Sequence, residues 1–233
     1  MSKLKEALLS VSWGENINEF ASDLDRQNRL NDAATIISIW GKQLEDSDMG
    51  NPAVCFIREM QVESQHALIA LGLGIYKASA ASMRAMVETA LYYSFFRSHS
   101  AELETLVRSK EYYISKGDIL AFHKIHTRDF VAMQNKLGLI SKIEEWYSYS
   151  SSIIHGQIPG RWVTFDAISK VGLHEETLKD AVQMYCEASS IINNFFLCSV
   201  ARSLWHTFQT DVKRKVLRGI SVDFKSVAKL DAA

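Results

Sequence analysis

The chain has 233 residues, 47% of them hydrophobic and 23% charged, with a formal net charge of −1. A chain this long buries roughly 70–75% of its unfolded surface, enough for a sizeable core without disulfides or metal. Near-neutral charge excludes a global field that would draw the protein to nucleic acid or anionic lipid, so any such contact needs a local patch.

The apolar spacing is helical almost throughout. It predicts a first helix over Asn16–Glu45, with Ile17, Phe20, Leu24, Ile36, Ile37, Trp40 and Leu44 as an interrupted stripe, then a loop at Asp46–Asn51. Asn51 and Pro52 have the residue types that cap and open a second helix, which Gly72 and Gly74 weaken. A third helix is predicted at Tyr76–Arg97, and further segments at Ala101–Lys116, Asp118–Lys136 and Ser141–His155. Gly117, Gly138 and Gly156 stand close behind these three, as C-terminal caps do.

Pro159 and Gly160 break the pattern within Gln157–Gly172, where Trp162–Phe165 predicts a brief strand or hairpin. A long C-terminal helix follows over His174–Val212. Its row Met184, Ile191, Cys198 and Trp205 repeats every seven residues beside Ala181, Ala188 and Phe195. So wide an apolar arc is either central to a bundle or shared with a second subunit. The reading is an all-α bundle at 52–212, preceded by a helical extension at 1–51 and followed by a basic tail at 213–233.

Cys55, Cys186 and Cys198 form no metal-binding spacing and read as reduced thiols packed as small apolar side chains. The N-terminal segment has no signal-peptide pattern, and no run of apolar residues is long enough for a membrane span. A cytoplasmic location without membrane contact is the expectation.

Two short segments carry what the sequence says of chemistry. In Tyr147–Gly156, YSYSSSIIHG, His155 closes a serine-rich helix one turn after Ser151, and Gly156 follows it. A histidine there also suits the negative end of the helix dipole with no role in chemistry. In Ala80–Glu88, AASMRAMVE, Arg84 and Glu88 stand four apart on one helix face, continued by Leu91 and Phe95. Such a pair is either a structural ion pair or part of a site.

Other spacings lead less far. Glu63 and His66, with Glu59, copy half of a di-iron site whose second half is missing, so no metal or other cofactor is expected. His123 and His126 read as an exposed helix face, and Arg202 and His206 stand four apart near the end of the long helix. A Ser151–His155 hydrolase dyad lacks the Gly–x–Ser–x–Gly elbow. Lys213, Arg214, Lys215, Arg218 and Lys225 read as a solvated helix end or as a phosphate- or partner-contacting tail.

Together, the small–small–x–Arg–x–x–x–Glu helix and the later Ser–x–x–x–His–Gly segment resemble uncharacterised bacterial HEPN-like proteins over roughly Val62–Phe196. The resemblance implies a HEPN-like helical bundle that pairs into a homodimer. In RNA-cutting members an Arg–x4–6–His motif faces its copy across the interface. The His there acts in acid–base chemistry on the ribose 2′-hydroxyl, and the Arg steadies the phosphate.

This chain departs from that motif, because Ser148, Tyr149 and Ser150 stand where its Arg would fall. Arg84 and Arg161 are the two possible substitutes. Three expectations follow from the resemblance. The first is a binding or regulatory component of a bacterial antiphage-defence or toxin–antitoxin-type system, its nuclease motif incomplete and its protein partner encoded nearby. The second is a metal-independent ribonuclease acting on RNA through His155 with Arg84, Glu88 and Ser151. The third is a dimeric scaffold for an unrelated partner.

Overall fold

Asp23 interrupts the first expected helix. In the computed structural model, which describes residues 2–162 and 165–231, a short helix α1 (Lys3–Leu9) is followed by α2 (Trp13–Phe20) and then by α3 (Leu24–Ser47). Asp23 is extended, and its carboxylate accepts the Arg26 backbone N–H at 3.0 Å. This cap satisfies one of the otherwise unpaired N–H groups at the start of α3. The Arg26 side chain turns back to donate to the Phe20 and Glu19 carbonyls, each at 2.9 Å, so the end of α2 and the start of α3 satisfy one another.

Along α3, Leu30, Ala33, Ile37, Trp40 and Leu44 are buried at helical spacing, and they enter the same core as the rest of the chain. Helices α4 (Val54–Gly72) and α5 (Tyr76–Phe96) form a closely packed hairpin. Small residues let them approach, and Ser79 donates to the Ala67 carbonyl at 2.9 Å. Gly74 makes the corner with a left-handed φ of +76°, where an added Cβ would lie 2.6 Å from the Gly172 carbonyl oxygen. At the end of α5, Tyr93 and Arg97 both donate to the Asp48 carboxylate, at 2.9 and 3.2 Å, tying the end of this helix to the end of α3.

The next two predicted segments are each shorter than expected. Helix α6 (Ser100–Arg108) stops well before Lys116, and α7 (Lys116–His126) begins there instead. Ser115 and Asp118 form a reciprocal capping box, so Gly117 lies in the first turn of α7 and ends no helix. The predicted helix Asp118–Lys136 divides at Thr127–Asp129, where Asp129 is left-handed with φ +61°, into α7 and α8 (Phe130–Leu137). Gly138 and Gly156, both at positive φ, follow the ends of α8 and α9 (Leu139–Ile154), as expected of C-terminal glycines.

His123 corrects the expectation of an exposed face. It is 2% exposed, packed against the Phe130 and Phe195 rings, with Nε2 at 2.9 Å from Ser94 Oγ and Nδ1 at 2.7 Å from Thr127 Oγ1. His126 is exposed. Burial pulls the His123 imidazole down to about 4, with a smaller push from His99. The unfolded chain takes up this proton near pH 6.5, so stability should fall as pH drops from about 6.5 to about 4, by on the order of 3 kcal/mol. Urea denaturation across that range checks this, and His123→Gln should flatten the slope.

Helix α10 (Glu175–Ser199) is the centre of the bundle, packing on α3, α5, α8 and α9. Met184, Ile191 and Cys198 are buried along it, as are Ala181, Ala188 and Phe195. The predicted continuation to Val212 is corrected: after Ser199 come a single turn α11 (Ala201–Leu204) and a 3-10 turn at Trp205–Thr207. This break lets Trp205 and Phe208 pack with their rings tilted at 5.3 Å and brings Phe208 edge-on to Trp40 at 5.5 Å.

Helices α12 (Thr210–Val216) and α13 (Val222–Ala228) then fold back onto the bundle. Val216, Leu217, Phe224, Ala228 and Leu230 are buried while Arg214, Lys215 and Arg218 stay at the surface. The brief strand expected at Trp162–Phe165 falls across residues 163 and 164, which lie outside the described residues. The fold is all-α, with no strand and no helix long and apolar enough to cross a membrane among the described residues.

Candidate functional site

The register of α5 sends Met83, Val87 and Ala90 into the core and leaves Arg84 and Glu88 at its edge, facing α9. On α9, Ile143, Trp146, Ser150 and Ile153 are buried, which places Tyr147 and Ser151 opposite that edge. Two polar pairs, each one turn apart on its helix, therefore meet across the helix–helix contact.

Arg84 is the hub of this meeting. Its Nε donates to Glu88 Oε1 at 3.0 Å, Nη1 to Ser151 Oγ at 3.0 Å and Nη2 to Tyr147 OH at 2.8 Å. The Tyr147 hydroxyl in turn donates to Glu88 Oε1, closing a ring of hydrogen bonds. The guanidinium lies 4.4 Å from the Tyr147 ring centre, and Lys116 Nζ, paired with Glu144, lies 4.7 Å from the same ring. Burial pulls Arg84 down, but the bonds to Glu88 and Tyr147 outweigh it and hold the guanidinium above its ordinary range. Burial, then the Glu88 carboxylate, pushes the Tyr147 phenol up to about 12, so it stays a neutral donor. A cleft of about 390 Å³ opens beside the ring, walled by Leu91, Tyr92, Tyr113, Ile114 and Lys116.

His155 stands apart. It is the C-cap of α9, its backbone N–H bonded to the Ser151 carbonyl at 3.0 Å, and its side chain is exposed. Among the described residues its imidazole has no hydrogen bond, to Arg84, Glu88, Ser151 or any other group. The structure thus brings Arg84, Glu88 and Ser151 together in one hydrogen-bonded cluster and leaves His155 outside it. An acid–base role needs the histidine within hydrogen-bond reach of the reacting group, and three of the five guanidinium N–H donors already have partners within the chain.

Arg161, the other possible phosphate ligand, is also engaged. Its Nε and Nη2 donate to Tyr149 OH at 3.0 and 2.7 Å, and Nη2 lies 3.3 Å from Asp180 Oδ2. The same carboxylate accepts from Tyr149 OH and, at 3.0 Å, from Trp162 Nε1, fixing the loop after α9 to α10. Tyr147 and Tyr149 therefore organise two clamps on two sides of α9. Their spacing alone gives no hint of this, because the partners come from α5, α10 and the loop.

The serines divide by position: Ser148 is exposed, Ser151 accepts from Arg84, and Ser152 donates to the Tyr149 carbonyl at 2.7 Å. Ser150 is fully buried, and its hydroxyl has no hydrogen-bond partner among the described residues. Ser150→Ala removes that unsatisfied group at little cost in volume and should stabilise the fold by about 1 kcal/mol. A higher urea midpoint with unchanged slope is the expected readout.

Of the remaining candidates, the exposed His66 lies 3.8 Å from the half-buried Glu63, and no three His, Cys, Asp or Glu side chains converge among the described residues. Arg202 pairs with Asp129 at 2.7 Å, while His206 is exposed. Comparison with protein families, with characterised proteins and with solved structures yields no match.

Proposed function

We propose that this chain is a HEPN-like helical binding and regulatory component of a bacterial antiphage-defence or toxin–antitoxin-type system, working as a pair of copies and lacking nuclease chemistry. The observation that carries the reading is the closed hydrogen-bond ring of Arg84, Glu88 and Tyr147, with Ser151 bonded to Arg84 beside it. It engages the arginine in joining α5 to α9, and among the described residues the His155 imidazole has no hydrogen-bond partner. A ribonuclease of the type the sequence resembles needs arginine and histidine convergent on one phosphodiester. The resemblance of Ala80–Glu88 and Ser151–Gly156 supports the family and the cellular setting.

The exposure of His155 is the observation that favours the alternative, a metal-independent ribonuclease. Expression of the wild type and of His155→Ala in a bacterial host separates the two. The regulatory reading predicts equal growth for both. Growth arrest by the wild type, relieved by His155→Ala in an equally stable protein, would overturn it.

A further inference from the structure

The surface that α3 shares with α10 and the C-terminal helix α12 carries a groove outside the Arg84 cluster. One depression, of about 500 Å³, lies between α3 and α10. A second, of about 680 Å³, lies between α3 and the segment Thr207–Val212. They meet at Thr35 and Ile39, which line both, and α12 flanks them through Lys215 on one side and Val212 on the other. The lining of α3 runs from Arg29 to Ser47, about 27 Å at the helical rise. That length exceeds a single metabolite and matches a peptide segment.

The chemistry of the groove is mixed in a definite way. Its floor is apolar, with Ala33 buried and Ile36 and Ile39 half-buried. Its rim carries Arg29, Lys42, Lys215 and Arg218 against Asp32 and Asp46, an excess of positive charge. Among the described residues Lys42, Lys215 and Arg218 have no ion-pair partner, and Arg29 donates only to the neutral Gln183. The hydroxyls of Thr35, Ser38 and Ser190 likewise have no side-chain hydrogen bond there. An excess of unpaired cations around apolar anchors calls for a ligand with acidic and apolar side chains together. A nucleic-acid strand fits less well, because an aliphatic floor without aromatic rings gives its bases nothing to stack on.

We infer that this groove docks an acidic, amphipathic segment of a protein partner. The inference rests on the reading of the chain as a binding module and names the surface through which it binds. Apolar side chains of the segment sit on Ile36 and Ile39, and its carboxylates pair with Lys215, Arg218 and Lys42.

The test is selection of displayed random peptides of about 16 residues, a helical length that fits the groove, on the intact purified chain. Selected sequences should combine Asp or Glu with Leu or Ile. Their binding should weaken about tenfold or more in Lys215→Glu/Arg218→Glu, and markedly in about 0.5 M salt. Thr35→Trp, which fills the junction of the two depressions, should abolish it while leaving the helical circular dichroism signal intact. Failure to enrich any peptide, a basic or neutral consensus, or affinities unchanged in both variants would overturn the proposal. So would a single-stranded RNA that displaces the peptide with equal affinity. None of these outcomes bears on whether RNA is cleaved, so a failed groove and a failed regulatory reading remain distinguishable.

Discussion

Replacing Trp40 by alanine should lower the unfolding free energy by about 4 kcal/mol, the largest effect of any single change considered for this fold. The indole is fully buried, lies 5.2 Å from the Phe196 ring and 5.5 Å from Phe208, and donates from Nε1 to Asn193 Oδ1 at 2.8 Å. Its loss opens a cavity where α3, α10 and the folded-back C-terminal segment meet, and also leaves the Asn193 oxygen without its donor. Trp40→Phe separates the two contributions. It keeps most of the volume and should cost about 1–3 kcal/mol through the orphaned amide oxygen. Urea denaturation followed by circular dichroism measures both. A loss under about 1 kcal/mol for Trp40→Ala would mean that α3 is a peripheral extension and not part of the core.

Arg84→Ala should cost about 2–3 kcal/mol, because three hydrogen bonds joining α5 to its own Glu88 and to α9 disappear together. The side chain is 24% exposed and Glu88 33% exposed, so water offsets part of what a fully buried pair would lose. Lysine should not rescue the position, since one ammonium cannot reproduce the planar fork that reaches Glu88, Tyr147 and Ser151 at once. Tyr147→Phe removes the hydroxyl shared by Arg84 and Glu88. Combined with Arg84→Ala it should be less than additive by about 1 kcal/mol, the coupling expected of neighbours in one network. Additive losses would show that the ring does not act as a unit.

Much of the fold is legible in the residues. Gly74, Gly138 and Gly156 mark boundaries that the backbone uses, because each takes a left-handed φ that other residues adopt poorly. Asn51 and Pro52 stand one turn early: Asn51 Oδ1 accepts the Ala53 N–H at 3.0 Å in a turn, and the second helix begins at Val54 with Ala53 as its N-cap. Asp23 and Asp129 are harder to read. A lone charged residue fits the polar side of a helical pattern, and only the cap at Arg26 or the left-handed turn reveals the break. The end of α10 is hidden for the opposite reason. Trp205 continues the seven-residue row, yet the chain turns at Val200 so that Trp205 and Phe208 can reach the Trp40 neighbourhood. His123 sits on the buried line of Ile119 and Leu120, which outweighs the apparent pairing with His126.

The site is legible only in halves. Four-residue spacing links Arg84 to Glu88 and places Ser151 one turn before His155. That Arg84 joins Ser151 and Tyr147 rather than His155 depends on the rotation of α9 against α5. The buried residues Trp146, Ser150 and Ile153 set that rotation, and no motif records it.

Incubation of the purified chain with transfer RNA and messenger RNA, in EDTA and again with divalent metal, tests the absence of nuclease chemistry most directly. Both RNAs should run intact on a denaturing gel at every time point. Cleavage by the wild type that is lost in His155→Ala, with folding unchanged, would contradict that absence and make His155 a catalytic residue.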